Sequence, residues 1–138
     1  MNKICIIDGQ GGGIGAFIIK KLREGCDDSL ELIALGTNAI ATSQMLKAKA
    51  NRGATGENAI VQTVSKVDLI IGPIGIVMAN AMMGEVTPKM AEAVASSPAQ
   101  KFLLPLLQEN VIIVGATAIP LPHLIDELME KHLKSRIA

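Results

Sequence analysis

The chain contains no tryptophan and no tyrosine, and phenylalanine occurs only twice. Such a protein is almost transparent near 280 nm, and chemistry that needs a tyrosine hydroxyl is closed to it. Cysteine is nearly as scarce. Cys5 lies in the first apolar run and Cys26 at the end of the helical pattern that follows. Two such positions read as reduced, buried thiols rather than a disulfide framework. With no third or fourth cysteine, and no histidine pair at ligand spacing, a zinc site has no support and no metal is expected. An excess of one charge is also missing: 13 Lys plus Arg balance 13 Asp plus Glu. Nucleic-acid binding would want a basic face, so it is disfavoured. The longest apolar runs are broken by Gly or Pro and are too short to span a bilayer. No basic-then-apolar leader precedes the first strand-like run, which points to a cytoplasmic protein.

Apolar side chains are abundant. Of 138 residues, 49% are hydrophobic, with a mean hydropathy of +0.40. That length predicts one domain over 1–138 with a real core. So many Ile, Leu, Val, Met and Ala side chains exceed what one small core hides, so a homo-oligomer, at least a dimer, is expected.

The densest signal is Asp8-Gly9-Gln10-Gly11-Gly12-Gly13-Ile14-Gly15. It follows the apolar run Ile4-Cys5-Ile6-Ile7 and leads into an amphipathic pattern from Ala16 to Arg23. Strand, glycine-rich turn and helix in that order form the phosphate-binding corner of a Rossmann-type unit. Glycine lets backbone N–H groups approach a phosphate, and the helix N-terminus adds unpaired donors and partial positive charge. A plain strand-to-helix turn without a ligand is the competing reading, but it has no need of five glycines in seven residues. No Gly-Lys-Ser/Thr follows, so this is not a Walker A loop. Glycines at +1, +3, +5 and +7 from Asp8 stand one residue out of register with an S-adenosylmethionine loop.

Elsewhere strands and helices alternate. Strands are predicted at 3–8, 31–35, 67–71, 101–106 and 111–114. Helices are predicted at 13–24, 38–48 (capped by Thr37), 57–65, 87–96 (capped by Thr87, with Pro88 first) and 122–134. Residues 51–56 read as a polar loop, Gly72-Pro73-Ile74-Gly75 as a strand break, and 76–83 as helix or loop. The step from Leu106 to Val111 is too short for a parallel crossover, so that strand pair is antiparallel or 102–107 is helical. The expected fold is α/β: a three-layer, Rossmann-like domain with a mostly parallel sheet of about five strands and helices on both faces.

Ligands of such sheets bind at the C-terminal ends of the strands. The loops expected there supply Gly9, Gln10, Gly11, Gly12, Gly13, Ile14 and Gly15, then Thr37 and Asn38, then Gly72, Pro73 and Gly75, with Gly115-Ala116-Thr117 as a fourth. An NAD site usually carries Asp or Glu at the end of its second strand, for the ribose 2′-hydroxyl. Here that position holds Thr37 and Asn38, which permit NAD(P) or another adenine nucleotide without specifying one. Asp8 reads as a turn stabiliser. Arg52-Gly53-Ala54-Thr55-Gly56-Glu57-Asn58 is either a second anion loop or an ordinary loop with Thr55 as N-cap. Lys47, Lys49 and Arg52 read as a solvated face, and His123 and His132 as surface histidines. Met78-Ala79-Asn80-Ala81-Met82-Met83-Gly84-Glu85 suits an adaptable interface or the core. If the chain has catalysis of its own, Glu85 and Asn80 are the candidate residues, Glu85 as general base.

The glycine loop, with DLIIGPIGIVMANAMMGEVTPKMAEAV and NVIIVGATAIPLPHLIDELMEK, resembles a small bacterial family found largely among clostridia. That resemblance implies a Rossmann-like fold and no assigned activity. The glycine loop alone is similar to that of short-chain dehydrogenases/reductases. Those enzymes use a Tyr-x-x-x-Lys pair, which a chain without tyrosine does not have. Three functions follow as alternatives: a nucleotide-binding regulatory or sensor protein, a small oligomeric enzyme with a nucleotide cofactor, or a structural protein with a vestigial pocket.

Overall fold

The computed structural model describes residues 3–26, 29–106 and 110–134. Five strands form one sheet: β1 (Lys3–Asp8), β2 (Glu31–Gly36), β3 (Arg52–Thr55), β4 (Leu69–Pro73) and β5 (Gln100–Leu104). Their spatial order is β3-β2-β1-β4-β5, and every neighbouring pair is parallel. Parallel strands bury both faces, and here alternate residues feed two separate cores. Ile4 and Ile6 of β1, with Leu32 and Ala34 of β2, join the core beneath α1 (Gly13–Gly25), α2 (Ala39–Lys47) and α5 (Leu121–Glu127). Cys5 and Ile7, with Ile33 and Leu35, join the core beneath α3 (Glu57–Thr63) and α4 (Pro88–Ser96). The result is the expected three-layer α/β sandwich. Among the described residues both cysteines are free, Cys5 buried and Cys26 partly so. No described helix is long and apolar enough to cross a membrane.

The chain runs from β1 through α1, β2 and α2 to β3 along one face, then returns past β1 to β4 across the other. Connections from β1 and β4 therefore leave in opposite directions, which makes the crevice above these two strands the topological switch point.

Several elements differ from expectation. Residues 52–55 are an edge strand, not a loop. The β2 ladder gives Arg52-Gly53-Ala54-Thr55 its partners, the Gly56 N–H donates to the Gly36 carbonyl at 2.9 Å, and Arg52 is paired to Glu31 at 2.5 Å. Gly72 and Pro73 extend β4 rather than breaking it. A side chain at Gly72 would come within 2.5 Å of the Ile7 carbonyl, so glycine here lets β4 lie against β1. The last strand pairs in parallel with β4 and ends before Pro105, so 102–104 is not helical. Residues 111–114 form no strand and are exposed, Ile112 at 87% and Val114 at 95%. Part of the link from Leu106 to Val111 lies outside the described residues.

Two caps also moved. The N-cap of α2 is Asn38, whose Oδ1 accepts the Ala41 N–H at 2.9 Å, not Thr37. The N-cap of α3 is Gly56, not Thr55. Thr87 caps α4 as expected, accepting the Met90 N–H, with Pro88 first in the helix. A short 3₁₀ turn, Ile74–Val77, follows β4, and α5 continues as a π-helical turn over Leu128–Leu133.

Candidate functional site

The glycine loop is held from beneath by Asp8, the buried last residue of β1. Asp8 Oδ1 accepts the Gly9 N–H at 2.8 Å and Oδ2 accepts the Gly15 N–H at 2.7 Å. One carboxylate thus ties the first residue of the loop to the first turn of α1. Gly12 N–H closes the turn onto the Gly9 carbonyl at 2.9 Å. Burial pushes the Asp8 carboxyl up from its ordinary value. The N–H groups of Gly15, Gly9 and Ile14 pull it back, nearby Glu85 adds to the rise, and the net direction is upward.

The five glycines are not equivalent. Gly12 has φ of 75°, and a Cβ there would sit 2.7 Å from the Ala41 Cα. A Cβ on Gly9 would overlap Thr37 Oγ1 and lie 2.6 Å from Met82 Sδ, while one on Gly15 would lie 2.6 Å from Met45 Sδ. These three are glycine because the fold leaves no room. Gly11 and Gly13 differ. Neither has positive φ, and an added Cβ would meet nothing within 4 Å. Both are exposed, and among the described residues neither N–H has a hydrogen-bond partner. Glycine at these two positions has no internal structural reason.

Both open onto a cavity of about 790 Å³ at the switch point. Its floor is Asp8 to Ile14, and Pro73, Gly75 and Met82 line the β4 side. Pro105, Leu106, Thr117, Ala118, Ile119, Pro120, Leu121 and Leu124 make a largely apolar opposite wall. The size falls within the range of small-molecule sites. Among the described residues no Lys or Arg lines the cavity, and an anion held by these residues would rely on backbone N–H groups and the start of α1.

A second cluster stands beside the first, at the ends of β1 and β2. After the 3₁₀ turn the chain winds through a compact segment with Asn80, Met82, Met83 and Gly84 all at positive φ. Asn80 N–H donates to the Val86 carbonyl and Val86 N–H to the Ala81 carbonyl. This folding carries the Glu85 carboxylate over the glycine loop. Glu85 Oε1 accepts the Gln10 N–H at 2.8 Å, the Thr37 hydroxyl at 2.7 Å and the Asn38 amide at 2.8 Å. Burial raises the Glu85 carboxyl, but these three donors outweigh it and hold it below the ordinary glutamate range.

Of the residues singled out from sequence, Gly9, Gln10, Gly11, Gly12, Gly13, Ile14, Pro73 and Gly75 line the cavity. Gly15 sits behind the loop on Asp8, and Gly72 is buried against β1. Thr37 and Asn38 lie in the Glu85 cluster, not on the cavity wall. Glu85 is half-buried and engaged in that cluster, while Asn80 is an exposed turn residue. Thr117 alone of the fourth loop lines the cavity. Asp8 stabilises the turn, as expected. His123 and His132 are exposed, the latter 5.8 Å from the Phe102 ring. The apolar wall from Leu106, Ile119, Leu121 and Leu124 was not foreseen. The only sequence signal for it was the position of Ala118-Ile119-Pro120-Leu121 before a helix. Among the described residues, no cluster of His, Cys, Asp and Glu is arranged to hold a metal.

A family model described as a domain of unknown function (DUF3842) matches residues 3–137. The chain belongs to this family. No curated protein matches it. Among solved structures, one similar chain is a dodecameric FMN-dependent UbiX-like decarboxylase from Escherichia coli O157:H7. It is 18% identical over 78% of this chain and 69% of that one, with a TM-score of 0.41.

Proposed function

We propose that this protein binds a nucleotide-type small molecule and acts as a regulatory or sensor domain. The phosphate of the ligand rests on the Gly11 and Gly13 N–H groups at the start of α1, and its flat ring system lies against Pro73, Ile119 and Leu121. The observation that carries this reading is the pair of glycines that the fold does not require. Their free N–H groups line a cavity at the switch point of a parallel sheet, where phosphate binding needs both bare backbone and a helix N-terminus. That no Lys or Arg lines the cavity among the described residues favours a mono- or diphosphate ester over a triphosphate, whose higher charge those two donors would compensate poorly. NAD(P)(H) fits this chemistry, as does a flavin mononucleotide.

The test uses the missing aromatic residues. The purified protein is expected to show an absorbance near 260 nm, or a cofactor band at longer wavelength, that its own side chains do not supply. Denaturation followed by mass spectrometry then identifies the released ligand. A ligand-free spectrum, with no thermal shift on adding NAD(P)(H), FMN, ATP or S-adenosylmethionine, would overturn the reading.

We infer also that the protein assembles with copies of itself. Ile40, Ile112 and Val114 expose 66%, 87% and 95% of their surface, and side chains of this kind in a near-neutral protein favour association.

A further inference from the structure

Rossmann sites usually take a carboxylate from the end of β2 to bind a ribose hydroxyl. The sequence offers none there, only Thr37 and Asn38. The fold supplies one from elsewhere. The turn after β4 delivers Glu85 to the same place, 48 residues along the chain from Thr37. Its Oε1 is saturated by the Gln10 N–H, the Thr37 hydroxyl and the Asn38 amide, all within 2.8 Å. Among the described residues Oε2 has no partner, and the residue is half-buried rather than enclosed. Gln10 links this cluster to the cavity: it lines the cavity wall, and its N–H donates to Glu85. The two subsites therefore adjoin at the glycine loop, through Gln10. That is where the two halves of a dinucleotide fall when its pyrophosphate crosses the loop.

We propose that Glu85 is the specificity residue of the site, accepting a ribose 2′-hydroxyl on Oε2 and rejecting a ribose that carries a 2′-phosphate. This rests on the nucleotide reading above. Three donors fix Oε1, so the carboxylate is positioned before any ligand arrives and its free oxygen is presented without reorganisation. A 2′-phosphate would face a fixed negative charge, with no Lys or Arg among the Glu85 partners to offset it. Like charges placed together in this way discriminate strongly.

The test is titration of the full chain with NADH and NADPH, followed by their emission, which tryptophan does not obscure here. The wild type is expected to bind NADH at least about tenfold more tightly than NADPH. Glu85→Gln keeps an oxygen for the three donors and removes the charge. It is expected to narrow that ratio to within about threefold, chiefly by admitting NADPH. Glu85→Asp, which keeps the charge, is expected to keep rejecting NADPH and serves if the glutamine variant folds poorly. An unchanged ratio in Glu85→Gln would overturn the proposal. So would an equal gain for both ligands in Glu85→Ala, which would make the carboxylate a plug. Binding of FMN without either nicotinamide nucleotide would reject the role of Glu85 and leave the nucleotide reading standing. Binding of none of the three would remove both.

Discussion

Gly12 and Gly13 are neighbours with different tasks. Gly12 is fixed by its left-handed backbone and by the Ala41 backbone 2.7 Å from a would-be Cβ. Gly12→Ala is expected to lower stability by about 2 kcal/mol or more in chemical denaturation. Gly13 begins α1 in open space, so Gly13→Ala should stay within about 1 kcal/mol of wild type in the same assay. The alanine methyl would nonetheless stand where a phosphate must approach, so nucleotide affinity should fall. Equal effects of the two substitutions on folding would contradict the assignment. The two carboxylates predict opposite pH trends. Glu85 is held below its ordinary 4.5, so its contribution is full above that value and is lost as pH falls through its folded one. Asp8 is raised from 3.8, so the fold holds its proton more tightly than the unfolded chain does, and stability declines as pH rises through that window. Thermal melts across acid pH should show the gap between wild type and Glu85→Gln shrinking below pH 4.5. A gap independent of pH would mean that the charge of Glu85 contributes nothing.

The elements show why some of the fold was legible and some was not. β1, β2 and most of β4 are buried on both faces, so each appears as an unbroken apolar run. Periodicity also gave α1, whose Ile18, Ile19 and Leu22 are buried while Ile14 and Phe17 are half-buried. β3 left no such trace. Its Arg52-Gly53-Ala54-Thr55 lies on an edge and is mostly exposed, and only the β2 ladder makes it a strand. Residues 111–114 erred the other way. Their β-branched side chains favour a strand, but among the described residues no strand pairs with them. The glycine loop of the candidate site was readable because its residues are contiguous in the chain. The Glu85 cluster was not, because it joins residues 47 and 48 positions apart through a turn with four positive-φ residues. Asn38 serves two elements, capping α2 and holding Glu85. Asn38→Ala is expected to cost about 1 kcal/mol and to weaken nucleotide binding. Thr87→Ala removes the cap of α4 and its bond to Glu57. It should cost a similar amount and leave binding intact, both read by melting and titration.

For the whole molecule, the sheet order places every candidate group on one rim. The connections from β1 and β4 part at the switch point, the glycine loop forms the cavity floor there, the apolar wall faces it, and Glu85 stands over the end of β2. The same molecule exposes Ile112 and Val114 almost completely. Light scattering should therefore give a mass at least twice the 14.5 kDa of one chain, and replacing both residues with Asp should reduce it to that of the monomer. A monomeric wild type would contradict the inferred assembly without touching the site. The central claim is that Gly11 and Gly13 present their N–H groups to a phosphate, and an amide ¹⁵N–¹H correlation spectrum reads those groups directly. On titration with NADH or FMN, the Gly11 and Gly13 signals are expected to move the most among the 13 glycines, with Gly53 and Gly56 on the far edge still. Saturation that leaves Gly11 and Gly13 in place would contradict the account, whichever other signals respond.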